Sequence, residues 1–525
     1  MHLPRIRRSF RTRSFAVRTA LVAATTLALG LTVTAPTADG APPGKQATPT
    51  QEPGVTANLW EWNWNSIRKE CSTLADLGYD GVQVAPPQNS LKRLTGDAET
   101  PTIHPWWEVY QPVTYDLTSR MGTEAEFRRM VRTCRSEGVM VYVDAVINHM
   151  TGQGSTSYGG QGYTHFNYPG IYDESDFHQR GPGPNDCSST SGGIEDFNNK
   201  NQVFKCELVG LADLNTSKDE VQEELAGYLN KLLRYGVSGF RVDAGKHIGQ
   251  DDLDAIYSRL NRTRDGVKPY WALEVFGGGP GILSPEAFTR SGDVLGLDSG
   301  RQIFNAFKSY PADHVGSLAT LEVFGTGSGL TAGNKTMSFV TNHDTDRNAN
   351  EYLGHKDGDR FILANEWLLA QGYGSPQIYS SFRWNDRADS PPDKNGASGL
   401  IADTSCTNGL WTCDHRNPGI VAMIGWHNYV GSAKRANFYT DEFNVIAFSK
   451  DGRGWAAFNN GTQDKTIRVQ TGLPRGTYCD IISGRKQSGS CTGGSVTVNG
   501  TGFAQVTVPA RDAVTFKRTE RVRST

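Results

Sequence analysis

Short apolar segments alternate with helix-forming segments from about residue 55 to residue 437, and several of the apolar segments end in charged side chains. The clearest case is residues 239–247, where an apolar run ends in Arg241 and Asp243 and is followed by Lys246 and His247. Charged groups are costly at the end of a buried strand. In a barrel of parallel strands, however, that position is the rim of the active site. The segment therefore predicts a (β/α)8 barrel with its chemistry at the rim.

Eight segments have the spacing of strands in such a barrel. The predicted strands are residues 55–62, 81–85, 139–147, 237–242, 270–275, 294–297, 337–341 and 377–381. An α/β sandwich is the alternative for this alternation. The charged endings of several strands favour the barrel.

Two helix starts have the sequence of a capping box, in which a Thr or Ser is followed three residues later by Glu. Thr123 precedes Glu126, and Ser217 precedes Glu220. Both segments continue with apolar residues on one face, which predicts two amphipathic helices of the barrel.

Three parts of the chain depart from the alternation and define the predicted domains. Residues 42–54 are rich in Pro, Gly, Gln and Thr and indicate a linker. Residues 150–212 are rich in Gly, Tyr, Asn and Ser and are too long for a plain loop, which predicts a loop-rich inserted domain after the third strand. Residues 438–518 alternate as short strands with Gly and Asn turns, which is typical of an antiparallel β-sandwich. The barrel then has two parts, and a tail ends the chain, with bounds 55–149, 213–437 and 519–525.

The amino terminus has the features of a secretory signal peptide over residues 1–41. Six Arg precede an apolar run that is too short to be a membrane span, and small residues follow it. Arg7 and Arg8 leave a twin-arginine signal open beside an ordinary one. We expect a secreted protein that does not span a membrane. The formal net charge of −2 and the absence of a basic stripe argue against a nucleic-acid partner.

Eight cysteines, an even number, fit disulfides in an oxidising compartment. Three pairs are close enough in sequence to clip local loops, which leaves Cys71 and Cys134 as the fourth pair. Zinc is the alternative, and the lack of any C-x-x-C pair argues against it. The local pairs are Cys187 with Cys206, Cys406 with Cys413, and Cys479 with Cys491.

Polar side chains end four of the predicted strands, and three of those ends contribute a carboxylate that could converge on one rim. The residues, in chain order, are Asp144, Asn148, His149, Arg241, Asp243, Lys246, His247, Glu274, Asn342, His343 and Asp344. Converging carboxylates suit acid/base hydrolysis, in which one is a nucleophile and another, with a raised pKa, donates and retrieves a proton.

In order and spacing, these four segments resemble the signature regions of the alpha-amylase family of glycoside hydrolases, and in particular its animal-like subgroup. The resemblance runs from about residue 55 to residue 516. It implies that Asp243 is the nucleophile, Glu274 the general acid/base and Asp344 the carboxylate that grips and distorts the sugar. It also implies a retaining mechanism, with the two reacting carboxyl groups about 5–5.5 Å apart.

The resemblance also implies a set of residues that contact the sugar. Arg241 would keep the nucleophile ionised, and two histidines would bind sugar hydroxyls beside the cut bond. Trp106, Trp107 and Tyr110 match a stacking platform, because flat rings fit the apolar faces of pyranose rings. The two histidines are His149 and His343, and Lys246 and His247 would contact the sugar on the leaving-group side.

Two ions enter the prediction through the resemblance. It implies a calcium site with side-chain ligands Asn148 and Asp213 and backbone carbonyl ligands Phe204 and His247. Arg241 and Asn342 match two chloride ligands of the animal-like group, but Gln377 stands at the usual basic position. A neutral amide binds an anion weakly, so we expect no chloride dependence. The resemblance further implies the same four disulfide pairs.

The predicted function is a secreted, monomeric, endo-acting alpha-amylase that binds starch, glycogen and maltooligosaccharides. An α-glucan transglycosylase with the same carboxylates is the closest alternative, because the motifs do not distinguish water from a sugar hydroxyl as acceptor. A non-catalytic glucan-binding homologue is a further alternative, although such proteins typically lose a carboxylate.

Overall fold

Eight parallel strands close into a barrel in the computed structural model of the chain, which describes residues 52–308 and 316–522. The neighbour order around the barrel is β1-β8-β7-β6-β5-β4-β3-β2, so strands that are adjacent in sequence pair with each other. The strands are β1 Thr56–Leu59, β2 Gly81–Val84, β3 Met140–Val146, β4 Gly239–Asp243, β5 Tyr270–Leu273, β6 Asp293–Leu295, β7 Thr336–Phe339 and β8 Ser375–Ser380. The predicted barrel is confirmed, and the α/β sandwich is excluded.

Helices connect the strands and pack around the barrel. They are α1 Trp64–Leu77, α2 Glu124–Ser136, α3 Lys200–Lys205, α4 Asp219–Tyr235, α5 Gly245–Ile248, α6 Gln250–Ser258, α7 Pro285–Phe288, α8 Leu297–Phe307, α9 Asp359–Gln371 and α10 Pro418–Val430. The capping box at Thr123 and Glu126 is confirmed. The one predicted at Ser217 is wrong: Lys218 is the N-cap, and the Ser217 hydroxyl donates to Asn215 Oδ1 at 2.6 Å instead.

The chain between β3 and α4 is mostly irregular. Its regular elements are α3 and a 3-10 turn at Glu174–Asp176, and isolated bridges such as Gly193 with Glu207 join its loops. A second bridge, between His149 and Asp213, joins the two ends of this segment at the exit of β3. The irregular segment is thereby anchored beside the barrel rim.

Antiparallel strands form the carboxyl-terminal part. They are β9 Arg435–Thr440, β10 Val445–Lys450, β11 Gly454–Asn459, β12 Lys465–Gln470, β13 Gly476–Cys479, β14 Ser495–Val498, β15 Phe503–Val508 and β16 Asp512–Lys517. Their order is β9-β10-β11-β16 in a four-stranded sheet, and β12 pairs with β15. The predicted antiparallel β domain is confirmed. Arg521–Val522, which the sequence assigns to the tail, instead pairs with β13, whose other edge is taken by β14.

All four predicted disulfides are present, and no cysteine is free. Cys71–Cys134 joins α1 to α2, and the other three close short loops. The predicted signal peptide and most of the predicted linker lie outside the described residues. No helix in the described part of the chain is long and apolar enough to cross a membrane.

Candidate active site

A cleft of about 520 Å³ opens at the carboxyl ends of the barrel strands. Its walls contain the three predicted carboxylates and seven of the eight predicted substrate residues. The predicted residues that line it are Trp106, Trp107, Tyr110, His149, Asp243, Lys246, His247, Glu274, His343 and Asp344. Arg241 is the exception, because it lies beneath the cleft with 2% of its surface exposed.

The Arg241 guanidinium is the centre of a carboxylate cluster. Its Nη1 lies 2.7 Å from Asp144 Oδ1 and 2.6 Å from Asp243 Oδ1. Its Nη2 lies 2.6 Å from Glu274 Oε1 and 3.9 Å from Asp344 Oδ2. One buried cation therefore holds four acids that come from three different strand ends and the turn after β7.

The four carboxylates cannot all be ionised at low cost, because they share one guanidinium. Burial raises the pKa of Glu274 well above its ordinary value; Arg241 opposes that shift, and Asp243 and Asp344 add to it. Burial also raises the pKa of Asp144, which Arg241 partly offsets. The cluster therefore favours a protonated Glu274, which is the state that a general acid needs.

A tight turn after β4 sets the position of Glu274 relative to Asp243. Ala244 follows Asp243 directly and has a φ of 48°, a left-handed conformation that is uncommon for a residue with a side chain. This conformation directs its backbone N–H to Glu274 Oε2, to which it donates at 2.8 Å. A strained backbone of this kind persists where the surrounding structure fixes it, and it is frequent at functional sites.

An aromatic wall borders the carboxylates on one side. The His343 ring stacks between Trp60 and Tyr110, with centroid distances of 4.8 Å and 5.0 Å. The Tyr110 hydroxyl donates to Asp144 Oδ2 at 2.9 Å, so the wall is tied to the carboxylate cluster. Burial, with Arg241 nearby, lowers the pKa of His343 well below its ordinary value, which makes this ring a neutral hydrogen-bonding group.

Two predicted sugar contacts are already engaged with the protein. His149 Nε2 lies 3.0 Å from the Tyr110 carbonyl oxygen and its Nδ1 lies 3.3 Å from Asn148 Nδ2, so both ring nitrogens have partners. Lys246 Nζ donates to the carbonyl oxygens of Phe276 and Gly278. His149 therefore shapes the cleft more than it offers a hydrogen bond, whereas Lys246 retains donor capacity because an ammonium has three protons.

The predicted calcium ligands meet in two groups. Asn148 Nδ2 lies 3.2 Å from Asp213 Oδ1, and Asp213 Oδ2 lies 2.7 Å from His178 Nδ1. The His247 ring contacts the Val203 carbonyl, one residue before Phe204, at 3.0 Å. The described residues contain no group of three or more His, Cys, Asp or Glu suited to a metal.

The oxygen donors nevertheless fit a hard cation. Asp213 is a buried carboxylate, and its partners are an amide and a histidine rather than a Lys or an Arg. Burial raises its pKa to about 6, and a bound cation would relieve that cost. A site built from one carboxylate, one amide oxygen and backbone carbonyls has the donor chemistry that calcium prefers.

Gln377 lies inside the barrel on β8 and is bonded to other uncharged side chains. Its Nε2 donates to Gln83 Oε1 at 3.0 Å, and its Oε1 accepts from Asn58 Nδ2 at 3.4 Å. Asn342 Oδ1 accepts from the backbone of Asp344 and Thr345 in the turn after β7. Both amides therefore have structural partners of their own.

The sequence missed several residues that line the cleft. Two are exposed aromatic rings, Phe197 in the irregular segment and Phe276 after β5, which are 51% and 42% exposed. Nearby, Gly277, Gly278 and Gly279 all have positive φ, which only glycine adopts readily and which holds Phe276 at the rim. The others are Leu208, Leu211, Ala244, Gly277, Asn348 and Arg387. Among these residues, only Phe276 could have been predicted from the sequence, because it lies two residues after Glu274.

Known families and known proteins are similar to this chain along most of its length. Residues 63–265 match the family described as alpha amylase, catalytic domain, and residues 436–519 match alpha amylase, C-terminal all-beta domain. An alpha-amylase of Thermomonospora curvata is 40% identical over 510 residues, which are 95% of this chain and 78% of that protein. An alpha-amylase of Tenebrio molitor is 38% identical over 467 residues, covering 86% of this chain and 93% of that one.

A solved structure is similar along most of the chain. Wild-type alpha-amylase I of Eisenia fetida superposes with a TM-score of 0.82 at 35% identity, and the match covers 90% of this chain and 99% of that one. A mutant of the same Eisenia fetida enzyme has been solved in complex with maltohexaose.

Proposed function

Because this chain belongs to the alpha-amylase family of glycoside hydrolases, we propose that it is a secreted, endo-acting enzyme that hydrolyses internal α-1,4-glucosidic bonds of starch and glycogen with retention of configuration. One observation carries the proposal: Asp243 and Glu274 pair with the two terminal nitrogens of one guanidinium and face the same cleft. Contact of both carboxylates with one guanidinium supports a retaining enzyme, in which the two carboxyl groups are about 5–5.5 Å apart.

In the first step, an oxygen of Asp243 attacks the anomeric carbon while the glycosidic carbon–oxygen bond breaks. Glu274 gives its proton to the departing oxygen, so the leaving chain departs with a neutral hydroxyl. The product of this step is a glycosyl ester on Asp243. The charge-assisted contact with Arg241 orients the Asp243 carboxylate for the attack.

In the second step, water attacks the same carbon and the ester bond to Asp243 breaks. Glu274, now ionised, takes the proton from water and returns to its starting state. Asp344 and His343 hold the sugar from the side of the aromatic wall, where His343 Nε2 lies 3.3 Å from Asp344 Oδ2. Two inversions at one carbon leave the new reducing end in the α configuration.

The cleft suits a long glucan chain. Trp106 and Trp107 border it on one side of the carboxylates, and Phe197 and Phe276 provide further apolar surface. Aromatic rings bind the apolar faces of successive glucose units and leave their hydroxyls to polar partners. Binding of glucose units by these rings on both sides of the reacting bond would place the cut within a chain rather than at its end.

The proposal includes a calcium ion but no dependence on chloride. Asn148 and Asp213 would hold a calcium ion together with the carbonyl oxygens of Phe204 and His247, and its positive charge would tie the irregular segment to the strand ends. Gln377 replaces the basic group that a chloride ion would need.

Soluble starch as substrate tests the proposal. We expect reducing ends to appear together with products of intermediate length, and proton NMR should show the α-anomer first. Release of products from chain ends only would contradict endo-cleavage, and initial β-anomer would contradict retention. Products longer than a maltooligosaccharide supplied as substrate would indicate a transglycosylase.

A further inference from the structure

A buried arginine beneath the aromatic wall has no part in the chemistry described so far. Arg347 ends the 3-10 turn Thr345–Arg347, three residues after Asp344, and 7% of its surface is exposed. It is not among the residues that line the cleft. Any effect of Arg347 on a bound sugar must therefore pass through its neighbours.

Four aromatic rings enclose the Arg347 guanidinium. Its central carbon lies 4.9–5.4 Å from the ring centroids of Trp60, Trp106, Phe382 and Trp384. Such rings attract a cation through their faces, and the attraction is larger when the cation is shielded from water. Of these rings, Trp106 lines the cleft, and Trp60 stacks on His343, which also lines it.

Two polar contacts of Arg347 go to backbone carbonyl oxygens of residues that line the cleft. Its Nη1 donates to the His343 carbonyl oxygen at 3.1 Å, directly before Asp344. Its Nε donates to the Arg387 carbonyl oxygen at 3.2 Å. In the described part of the chain no carboxylate lies within 4.0 Å of its guanidinium as an ion pair, although the charge of Arg347 also acts on Glu61, Asp344 and Asp346.

One of these acceptors is shared with the stacking platform. The Arg387 carbonyl oxygen also accepts a hydrogen bond from Trp106 Nε1 at 2.9 Å. Arg347 therefore connects the peptide that carries Asp344, the ring of Trp106 and the loop that carries Arg387. The planar guanidinium suits this task because its donors point in fixed directions.

We propose that Arg347 is a positioning residue, whose guanidinium holds the His343–Asp344 backbone and the Trp106 ring in the geometry that the reaction needs. The inference rests on the roles proposed above for Asp344 and Trp106. A shift of the reacting geometry by about 1 Å can cost about 100-fold in rate, so the expected effect is on turnover.

Three variants test this role with soluble starch as substrate. Arg347→Met removes the hydrogen-bond donors and keeps an apolar side chain of similar length. Arg347→Lys keeps the charge but loses the planar guanidinium and its fixed donor directions. Arg383→Met is the matched control, because Arg383 is an exposed arginine in the loop that carries Arg387 and does not line the cleft. We expect kcat to fall about 100-fold for both Arg347 variants, with a smaller change in KM. The Arg383 variant should keep wild-type kcat.

Chemical rescue separates positioning from folding. Arg347→Ala leaves a space of guanidinium size between the four rings, and added methylguanidinium should restore part of kcat, whereas ethylammonium should not. Wild-type kcat in Arg347→Met, or an Arg347→Ala variant that methylguanidinium does not restore, would overturn the inference. Asp344→Asn separates the two proposals. Unchanged activity there would remove the proposed function itself, whereas a large loss there beside a fully active Arg347→Met would reject the role of Arg347 alone.

Discussion

Two buried polar clusters near the carboxyl ends of barrel strands differ in whether they border the cleft. The first is the set of carboxylates around Arg241. In the second, Ser380 at the end of β8 lies 2.8 Å from His415 Nδ1, and His415 Nε2 lies 3.0 Å from Glu70 Oε1. This second arrangement has the order of a serine–histidine–acid triad, yet none of its members lines the cleft.

The two clusters differ in how their charges are balanced. Glu70 accepts from Arg416 Nε at 2.6 Å as well as from His415, and although burial would raise its pKa, these contacts hold it below its ordinary value. At Glu274, burial raises the pKa, Asp243 and Asp344 add to the shift, and Arg241, which four acids share, does not offset it. A balanced buried network stabilises the fold, whereas an unbalanced one that faces a cleft is ready for proton transfer.

The largest contrast between the clusters should come from removing one acid in each. Asp243→Asn should lower kcat by about 10⁴-fold, because it removes the attacking oxygen, while the fold keeps a residue of the same shape. Initial rates on soluble starch and thermal unfolding of the same samples provide the measurement.

Glu70→Gln is the matched change in the other cluster. It leaves the buried His415 and the half-exposed Arg416 without their carboxylate, and a buried polar group without a partner costs about 1–3 kcal/mol. We expect a lower unfolding temperature with near-normal kcat in the folded fraction. Full activity in Asp243→Asn, or a loss of kcat in folded Glu70→Gln, would reverse the assignment of the two clusters.

The contrast also explains what the sequence could predict. The barrel follows from strand spacing and the carboxylates from side-chain types at strand ends, whereas the four disulfides follow from the spacing of the eight cysteines and from the family resemblance. The partners of Arg347 and the ring of Phe197 could not be predicted, because they depend on how loops far apart in sequence fold against one another. The predicted capping box at Ser217 failed for a local reason, since Asn215 competes for the Ser217 hydroxyl.

Removal of calcium should have the next largest effect, because it acts on both the fold and the cleft. A ligand present at about 1,000 times its Kd stabilises the folded state by about 4 kcal/mol, so chelation should lower the unfolding temperature and the activity together. Asp213→Asn is the control, since its unfolding temperature should respond less to chelation. Indifference of the wild type to prolonged chelation would contradict the calcium site.

The pH dependence of kcat/KM tests the raised pKa of Glu274. Because the acid donates only when it is protonated, kcat/KM should fall as pH rises through this pKa, by about tenfold for each further pH unit. In Glu274→Gln the residual activity should lack this alkaline limb. An alkaline limb that is unchanged in Glu274→Gln would assign the proton donor to another group.

The smallest effect should come from the serine of the balanced cluster. Ser380→Ala leaves His415 Nδ1 and the backbone N–H of His415 without the hydroxyl that they now share, and a buried polar group without a partner costs about 1–3 kcal/mol. Urea unfolding should show that loss, and kcat on starch should stay at the wild-type value. Ser258→Ala, at an exposed serine of α6, should change the free energy of unfolding by less than about 0.5 kcal/mol. If Ser380→Ala instead lost starch hydrolysis without loss of stability, this cluster would have to be connected to the chemistry despite its burial.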